Sequence, residues 1–285
     1  MKDKPTTFPE QTQETQPGKE HKMSPQPEYI RKNYRGSGKL EGKKAIITGG
    51  DSGIGRAIAI HFAKEGADVA IVYTSKEKED AAETKNLVSN EGKECLLFEG
   101  DLKDEQFCSH LIEQTVEHFK SLDILVNNAA VQFPEENIED ITTEHLRTTF
   151  ETNIFAYHYL TREAVKYMKK GSCLINTTSV TAFRGSDHLI DYSSTKGAIV
   201  TYTRSLAMML ADRGIRANLV APGPIWTPLI PATFDDVEEF GQKTLLGRAG
   251  QPSEVGPAYV FLASEDSSYI TGQTIHINGG DYISS

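Results

Sequence analysis

The sequence predicts an α/β fold, a doubly wound parallel sheet in a single domain, behind a mostly irregular N-terminal extension. Three observations carry this. From Lys43 onward, short β-branched runs alternate with longer helical patterns. The short runs are continuously apolar rather than alternating, as strands buried on both faces require. A glycine-rich turn joins the first such run to the first helical pattern.

In chain order, Lys44–Thr48 reads as a strand and Gly53–Glu65 as an amphipathic helix. Asp68–Tyr73 is the next strand, before a charged helix from Glu77 to Asn90. Glu94–Glu99, Leu122–Val126, Cys173–Thr178, Ile215–Val220 and Thr274–Ile277 continue the strand series. Helical patterns fill the gaps at 104–119, 142–169, 191–212 and 252–263. Such alternation implies right-handed crossovers within one parallel sheet. Pro222–Gly250 is too long for a simple connection and is a candidate lid. The 285 residues allow two domains at roughly 150 residues each, but the pattern contains only one, over residues 41–285.

Residues 1–40 are different in kind. The first 44 residues carry ten basic and six acidic groups, a charge of +4, and the remainder carries −14. Five of the twelve prolines fall in the first 27 residues, among Gln, Thr, Lys and Glu. A segment so poor in apolar side chains cannot offset its own ordering entropy. It is expected to be either a flexible leader or an arm docking through Phe8, Tyr29, Ile30 and Tyr34.

Composition narrows the function. A net charge of −10 disfavours nucleic acid as a partner. No apolar run reaches the roughly 18 residues that span a bilayer, so no membrane association is expected, and no apolar h-region follows the first residues, so no secretory signal is expected. Three widely spaced cysteines, Cys95, Cys108 and Cys173, suit a reducing compartment such as the cytoplasm. The eight histidines form no ligand cluster, so no metal site is expected.

The turn Thr48-Gly49-Gly50-Asp51-Ser52-Gly53-Ile54-Gly55 follows a strand and opens a helix. In that context Gly49 permits a tight turn, Gly53 lets the backbone approach a pyrophosphate, and Gly55 lets helix and strand pack closely. The helix N-terminus adds free N–H groups and partial positive charge. Downstream, Tyr192 and Lys196 stand one helical turn apart. An ammonium there is expected to pull the Tyr192 phenol below its ordinary value of about 10. Ser179 follows the strand Cys173–Thr178, at the carboxyl edge where such sheets bind ligands.

The Gly-x-x-x-Gly-x-Gly spacing after Thr48, together with Tyr-x-x-x-Lys, resembles the short-chain dehydrogenase/reductase family, whose Rossmann-like fold binds NAD or NADP. The resemblance covers residues 43–281. It implies Asn153, Ser179, Tyr192 and Lys196 as catalytic residues: Asn153 helps hold a proton-relay water, Ser179 bonds the substrate carbonyl, Tyr192 is acid and base, and Lys196 steadies the tyrosinate. It implies cofactor contacts from Gly49, Asp51, Ser52, Gly53, Ile54 and Gly55. Thr74 and Ser75 follow the second strand, Asp101-Leu102 resembles the adenine-recognising pair, and Asn128-Ala129 lies in Asn-Asn-Ala-Ala, where the family usually ends in Gly. Tyr192 and Lys196 also face the cofactor. Pro222, Gly223, Ile225 and Thr227 resemble the segment lining the nicotinamide.

For substrate, the resemblance implies a small carbonyl or alcohol compound held by Ser179, Tyr192 and Trp226. Phe133, Phe183, Leu229, Ile230 and Phe234 are expected around it, with Gln132, Arg184 and His188 as polar contacts. Cofactor preference stays open: no acid ends the second strand and Lys76 could meet a 2′-phosphate, whereas Asp51 would repel one. A catalytically silent NAD(P)-binding sensor or scaffold is the alternative function. Epimerisation or dehydration is disfavoured by the glycine spacing, and enoyl reduction by the short Tyr–Lys interval. The family also implies a homotetramer built through the helices at 142–169 and 191–212 and through the last strand.

Overall fold

The computed structural model describes residues 4–283, so the first three residues of the extension and the last two of the chain lie outside it. Seven parallel strands form one sheet: β1 (Lys44–Thr48), β2 (Asp68–Tyr73), β3 (Cys95–Glu99), β4 (Ile124–Asn127), β5 (Cys173–Thr177), β6 (Arg216–Pro222) and β7 (Thr274–Ile277). Their spatial order is β3-β2-β1-β4-β5-β6-β7. The order reverses between β1 and β4, which places the switch-point crevice at their carboxyl ends. This is the predicted doubly wound sheet, with all seven expected strands present.

The helices are α1 (Gly53–Lys64), α2 (Lys78–Asn90), α3 (Glu105–Phe119), α4 (Thr143–Phe150), α5 (Ala156–Ala164), α6 (Thr181–Arg184), α7 (Ile190–Leu210) and α8 (Pro252–Ala263). Successive strand residues face opposite layers. Ile47, Val69 and Ile71 therefore pack with Ile58, Phe62 and Tyr259 on one face. Ile46, Ala70 and Leu125 pack with Leu111, Leu160 and Leu210 on the other. Double burial is why the strands read as unbroken apolar runs. Each fully buried Ile or Leu contributes about 1.5–3 kcal/mol of transfer free energy.

Two features depart from the sequence reading. The helix expected over 142–169 is interrupted: α4 and α5 are joined by a π-helical stretch, Glu151–Phe155. A π-bulge has no hydrophobic period of its own, so the apolar pattern runs through it unmarked. The second departure concerns Pro222–Gly250, which between β6 and Gly250 is irregular apart from a bridge of Ile225 to Gly250. Its apolar side chains Trp226, Ile230, Val237 and Ala249 form a small core with Phe8 and Met23 of the N-terminal arm. The arm, residues 4–40, has one short 3-10 turn at Glu20–Lys22 and otherwise lies irregularly along the body.

Candidate active site

The carboxyl ends of the strands open onto a cavity of ≈ 1410 Å³, larger than the roughly 300–1,000 Å³ of most small-molecule pockets. Sheet order lays out its length. Residues after β2 and β3 (Thr74, Ser75, Lys76, Asp101, Leu102) line one end, and those after β5 and β6 (Ser179, Pro222, Gly223, Ile225, Thr227) the other, joined by Tyr192 and Lys196 from α7. The glycine turn and Asn128-Ala129 lie between them. Thr48 holds this middle section: its Oγ1 accepts from the N–H groups of Asn128 and Ala129 at 2.8 and 3.0 Å.

At the chemical end, Tyr192 and Lys196 face the cavity from one side of α7, as an i, i+4 pair must. Lys196 Nζ donates to the Thr177 carbonyl at 3.0 Å and lies 5.3 Å from the centroid of the Tyr192 ring. Ser179 stands at the end of β5, its Oγ accepting from the Thr181 N–H at 3.2 Å. Burial pushes the Tyr192 phenol up to about 12, with the Ser179 hydroxyl pulling the other way. Burial also pushes the Lys196 ammonium down to about 7. This corrects the expectation of a lowered phenol. The ammonium is turned onto a carbonyl and the ring face, so desolvation outweighs its attraction for a phenolate.

Asn153, in the π-helical stretch, is fully buried and does not line the cavity. Its Oδ1 accepts from the Val131 N–H and its Nδ2 donates to the Val131 carbonyl, both at 2.9 Å. Nδ2 also reaches Thr195 Oγ1 at 3.2 Å. The side chain therefore pins the loop after β4 against α7, one residue from Tyr192's helical neighbours.

The remaining expected contacts divide. Gly49, Asp51, Ser52, Gly53 and Ile54 line the cavity, while Gly55 lies behind it: a Cβ there would come 1.8 Å from the Gly49 carbonyl oxygen. Asp51 has its carboxyl buried, and burial beside Glu77 holds it well above the usual carboxylate range. A carboxyl biased to its neutral form repels a phosphate weakly, which removes much of the expected objection to a 2′-phosphate. Trp226 corrects the reading more sharply. It is fully buried, stacked on Phe8 with ring centroids 3.7 Å apart, and donates through Nε1 to the Pro25 carbonyl at 2.8 Å. Alternate residues of an extended segment face opposite ways, so Ile225 and Thr227 face the cavity and Trp226 turns from it. Phe183 also points elsewhere, packing on His276 and Tyr282. Phe133, Leu229, Ile230, Phe234, Gln132, Arg184 and His188 do line the cavity.

The chain matches the family model described as enoyl-(acyl carrier protein) reductase over residues 49–281. With the glycine turn, Ser179, Tyr192 and Lys196 on one cavity, that match decides the family. The chain belongs to the short-chain dehydrogenase/reductase family. It is 59% identical over 276 residues to the uncharacterized oxidoreductase YhdF of Bacillus subtilis, covering 96% of this chain and 95% of that one. It is 50% identical over 280 residues to the glucose and ribitol dehydrogenase of Daucus carota, covering 96% of each. Among solved structures it resembles a short chain dehydrogenase from Burkholderia cenocepacia in complex with NADP, with a TM-score of 0.80 and 29% identity over 85% of this chain and 98% of that one. Both curated relatives align over more of this chain than residues 41–285 supply, so their alignments take in most of the arm.

As a short-chain dehydrogenase/reductase, the chain has a site that fits a nicotinamide dinucleotide. The cradle is narrow: a Cβ at Gly53, where φ is +51°, would stand 3.1 Å from Thr227 across the cleft. Several lining residues escaped the sequence reading, and three of them come from outside the sheet domain. Gln16, Pro17 and Gly18 of the N-terminal arm border the cavity, and nothing in their composition marks them.

Proposed function

We propose that this oxidoreductase transfers a hydride reversibly between NAD(P) and the carbonyl or alcohol carbon of a small substrate, with Tyr192 as acid and base. The observation carrying this is the convergence of Tyr192, Ser179 and Lys196 on the cavity that also receives the glycine turn. The bound nicotinamide supplies or accepts the hydride. In reduction, Tyr192 Oη gives its proton to the substrate oxygen while Ser179 Oγ donates a second hydrogen bond to it. Lys196, near neutrality in its titration, changes the charge beside the ring. Asn153 acts at one remove, by fixing Val131 and so the wall that carries Gln132 and Phe133. Proton transfer of this kind contributes about 10²–10⁴-fold to rate.

The substrate end mixes Phe133, Leu229, Ile230 and Phe234 with Gln132, Arg184 and His188. It suits a small alcohol, ketone, aldehyde or sugar, in keeping with the polyol and sugar named for the Daucus carota relative. The single-turn Tyr–Lys interval favours carbonyl over enoyl reduction. Either NAD or NADP is accommodated: Lys76 follows β2, and burial beside Glu77 biases the Asp51 carboxyl toward its neutral form.

A homotetramer is the proposed assembly. Leu146 on α4, Phe155 beside α5 and Met208 and Met209 on α7 are exposed large apolar side chains on the helices the family uses for association. Among the described residues no helix is long and apolar enough to cross a membrane, and the three cysteines are free and buried, which suits the cytoplasm. The decisive experiment is a panel of aldehydes, ketones, sugars and polyols with NADPH and NADH, or their oxidised forms, followed at 340 nm. Turnover of a small carbonyl compound is expected. Tight cofactor binding without turnover of any panel member would favour a sensor or scaffold.

A further inference from the structure

The N-terminal arm is anchored on both sides of the cleft. Before the cleft, the Phe8 N–H donates to the Glu238 carbonyl at 3.1 Å and the Gln13 N–H to the Pro231 carbonyl at 2.7 Å. Phe8 stacks on Trp226, and Gln242 Nε2 donates to the Thr6 carbonyl at 3.0 Å. On the other side, at the glycine turn, Glu20 is buried and takes the Gly53 N–H: its Oε2 accepts from it at 2.5 Å and its Oε1 from Arg56 at 2.6 Å. The Glu28 carbonyl accepts from the Ser253 N–H at 2.8 Å.

Between these anchors, Gln16-Pro17-Gly18 crosses the opening. The Gln16 side chain pairs with the backbone of Gln132: Nε2 donates to its carbonyl at 2.5 Å and Oε1 accepts from its N–H at 3.2 Å. The Gln16 carbonyl accepts from Lys76 Nζ at 3.2 Å. Lys76 follows β2 and Gln132 follows β4, and β1 with its glycine turn lies between those strands. Gly18 is pressed so closely on the far wall that a Cβ would fall 2.2 Å from the Pro228 carbonyl oxygen.

We propose that Gln16, Pro17 and Gly18 roof the dinucleotide site, so that the cofactor is enclosed by the arm and exchanges only when the arm lifts. This rests on the NAD(P) reading above and adds residues outside the matched span 49–281. The geometry makes the arm a bridge between the adenosine and substrate ends, rather than a tether running over a remote face.

The consequence is a linkage. If the lifted arm cannot retain cofactor, cofactor must suppress lifting by a factor of about 1 + [L]/Kd. Trypsin reads this directly in the intact protein, because Lys22 is exposed while Met23 after it is buried. Cleavage between them requires local opening. NADPH and NADH are titrated by their own fluorescence, and the better binder is added at about 100 times its Kd. Cleavage after Lys22 is then expected to slow on the order of 100-fold, while cleavage at the exposed turn Lys170–Gly171 stays within about twofold.

A second measurement uses Phe8→Ala, which loosens the arm at its Trp226 anchor, a contact that does not itself line the cleft. Trp226 is the single tryptophan, so a red-shifted emission reports the released arm without reference to cofactor. The expected companion is cofactor release accelerated about tenfold or more, measured by displacement. Equal cleavage after Lys22 with and without bound cofactor would overturn the proposal. So would unchanged cofactor release from a Phe8→Ala protein whose emission shows the arm displaced. Failure of both dinucleotides to bind the wild-type protein would remove the functional reading, and this inference with it.

Discussion

Lys196 Nζ sits over the ring of Tyr192, 5.3 Å from its centroid, and gives its hydrogen bond to the Thr177 carbonyl rather than to the phenol oxygen. The pair thus shares a face of α7 without sharing a proton. Burial sets their titration: it pushes the phenol up to about 12 and the ammonium down to about 7. At neutral pH Tyr192 holds its proton, the state its proposed role in carbonyl reduction requires.

Tyr192→Phe should retain cofactor binding and the melting temperature while losing about 10²–10⁴-fold in kcat. Cofactor titration and steady-state rates on one preparation check this. Turnover near wild type would remove Tyr192 from the chemistry.

The two directions should differ in pH dependence. Reduction uses the protonated phenol, present well below about 12, so Tyr192 itself imposes no change between pH 6 and 8, and a step there should fall near about 7, where Lys196 loses its proton. Oxidation needs the deprotonated phenol, so log kcat/KM should climb with a slope approaching about 1 per pH unit on the acid side of that group. A falling oxidative limb over pH 7–9 would contradict the assignment.

Asn153→Ala leaves the N–H and carbonyl of Val131 without their amide partner, at about 1–3 kcal/mol for each buried group left unsatisfied. The expected loss of stability is accompanied by a raised KM for the carbonyl substrate, because Gln132 and Phe133 follow Val131 directly. Chemical denaturation and a comparison of KM with kcat separate the two effects.

Gly55→Ala forces a Cβ to within 1.8 Å of the Gly49 carbonyl, and the turn must spread. Overpacking of this sort costs about 1–3 kcal/mol or more. Both the melting temperature and the cofactor affinity should fall, which thermal melts with and without NADPH would show.

His61 offers a pH test of stability. It is fully buried against Gly256 and Tyr34, with Nδ1 at 2.6 Å from the Ala57 carbonyl, and burial pushes it down to about 4 from 6.5. Its depressed value means the neutral ring contributes fully above pH 6.5, and that contribution disappears as pH falls toward 4. The span amounts to about 3 kcal/mol. Denaturant midpoints for His61→Gln should be flatter over that interval than those of the wild type.

Much of the framework is legible in the sequence because its determinants are local or periodic. Runs such as Ala45–Ile47 and Val69–Val72 announce strands buried on both faces, and the glycine turn and the Tyr192–Lys196 interval carry their geometry within eight residues. What the sequence hides depends on distant partners. Trp226 looks like a substrate contact until Phe8, 218 positions earlier, is seen to cover it. Asp51 reads as a charge until its burial beside Glu77 is known. Asn153 reads as part of a continuous helix, because a π-bulge leaves the surrounding apolar spacing intact.

The arm also imposes an order on synthesis. Glu28 meets Ser253, and Trp226 meets Phe8 and Pro25, so the arm leaves the ribosome well before the partners it docks on. At about 5–20 residues per second, Glu28 waits roughly 10–45 s before its partner on α8 exists. Until residues 226–249 emerge, the arm has no place to bury Phe8 and Met23. Its Pro- and Gln-rich composition is well suited to waiting, since it offers little apolar surface to misplace.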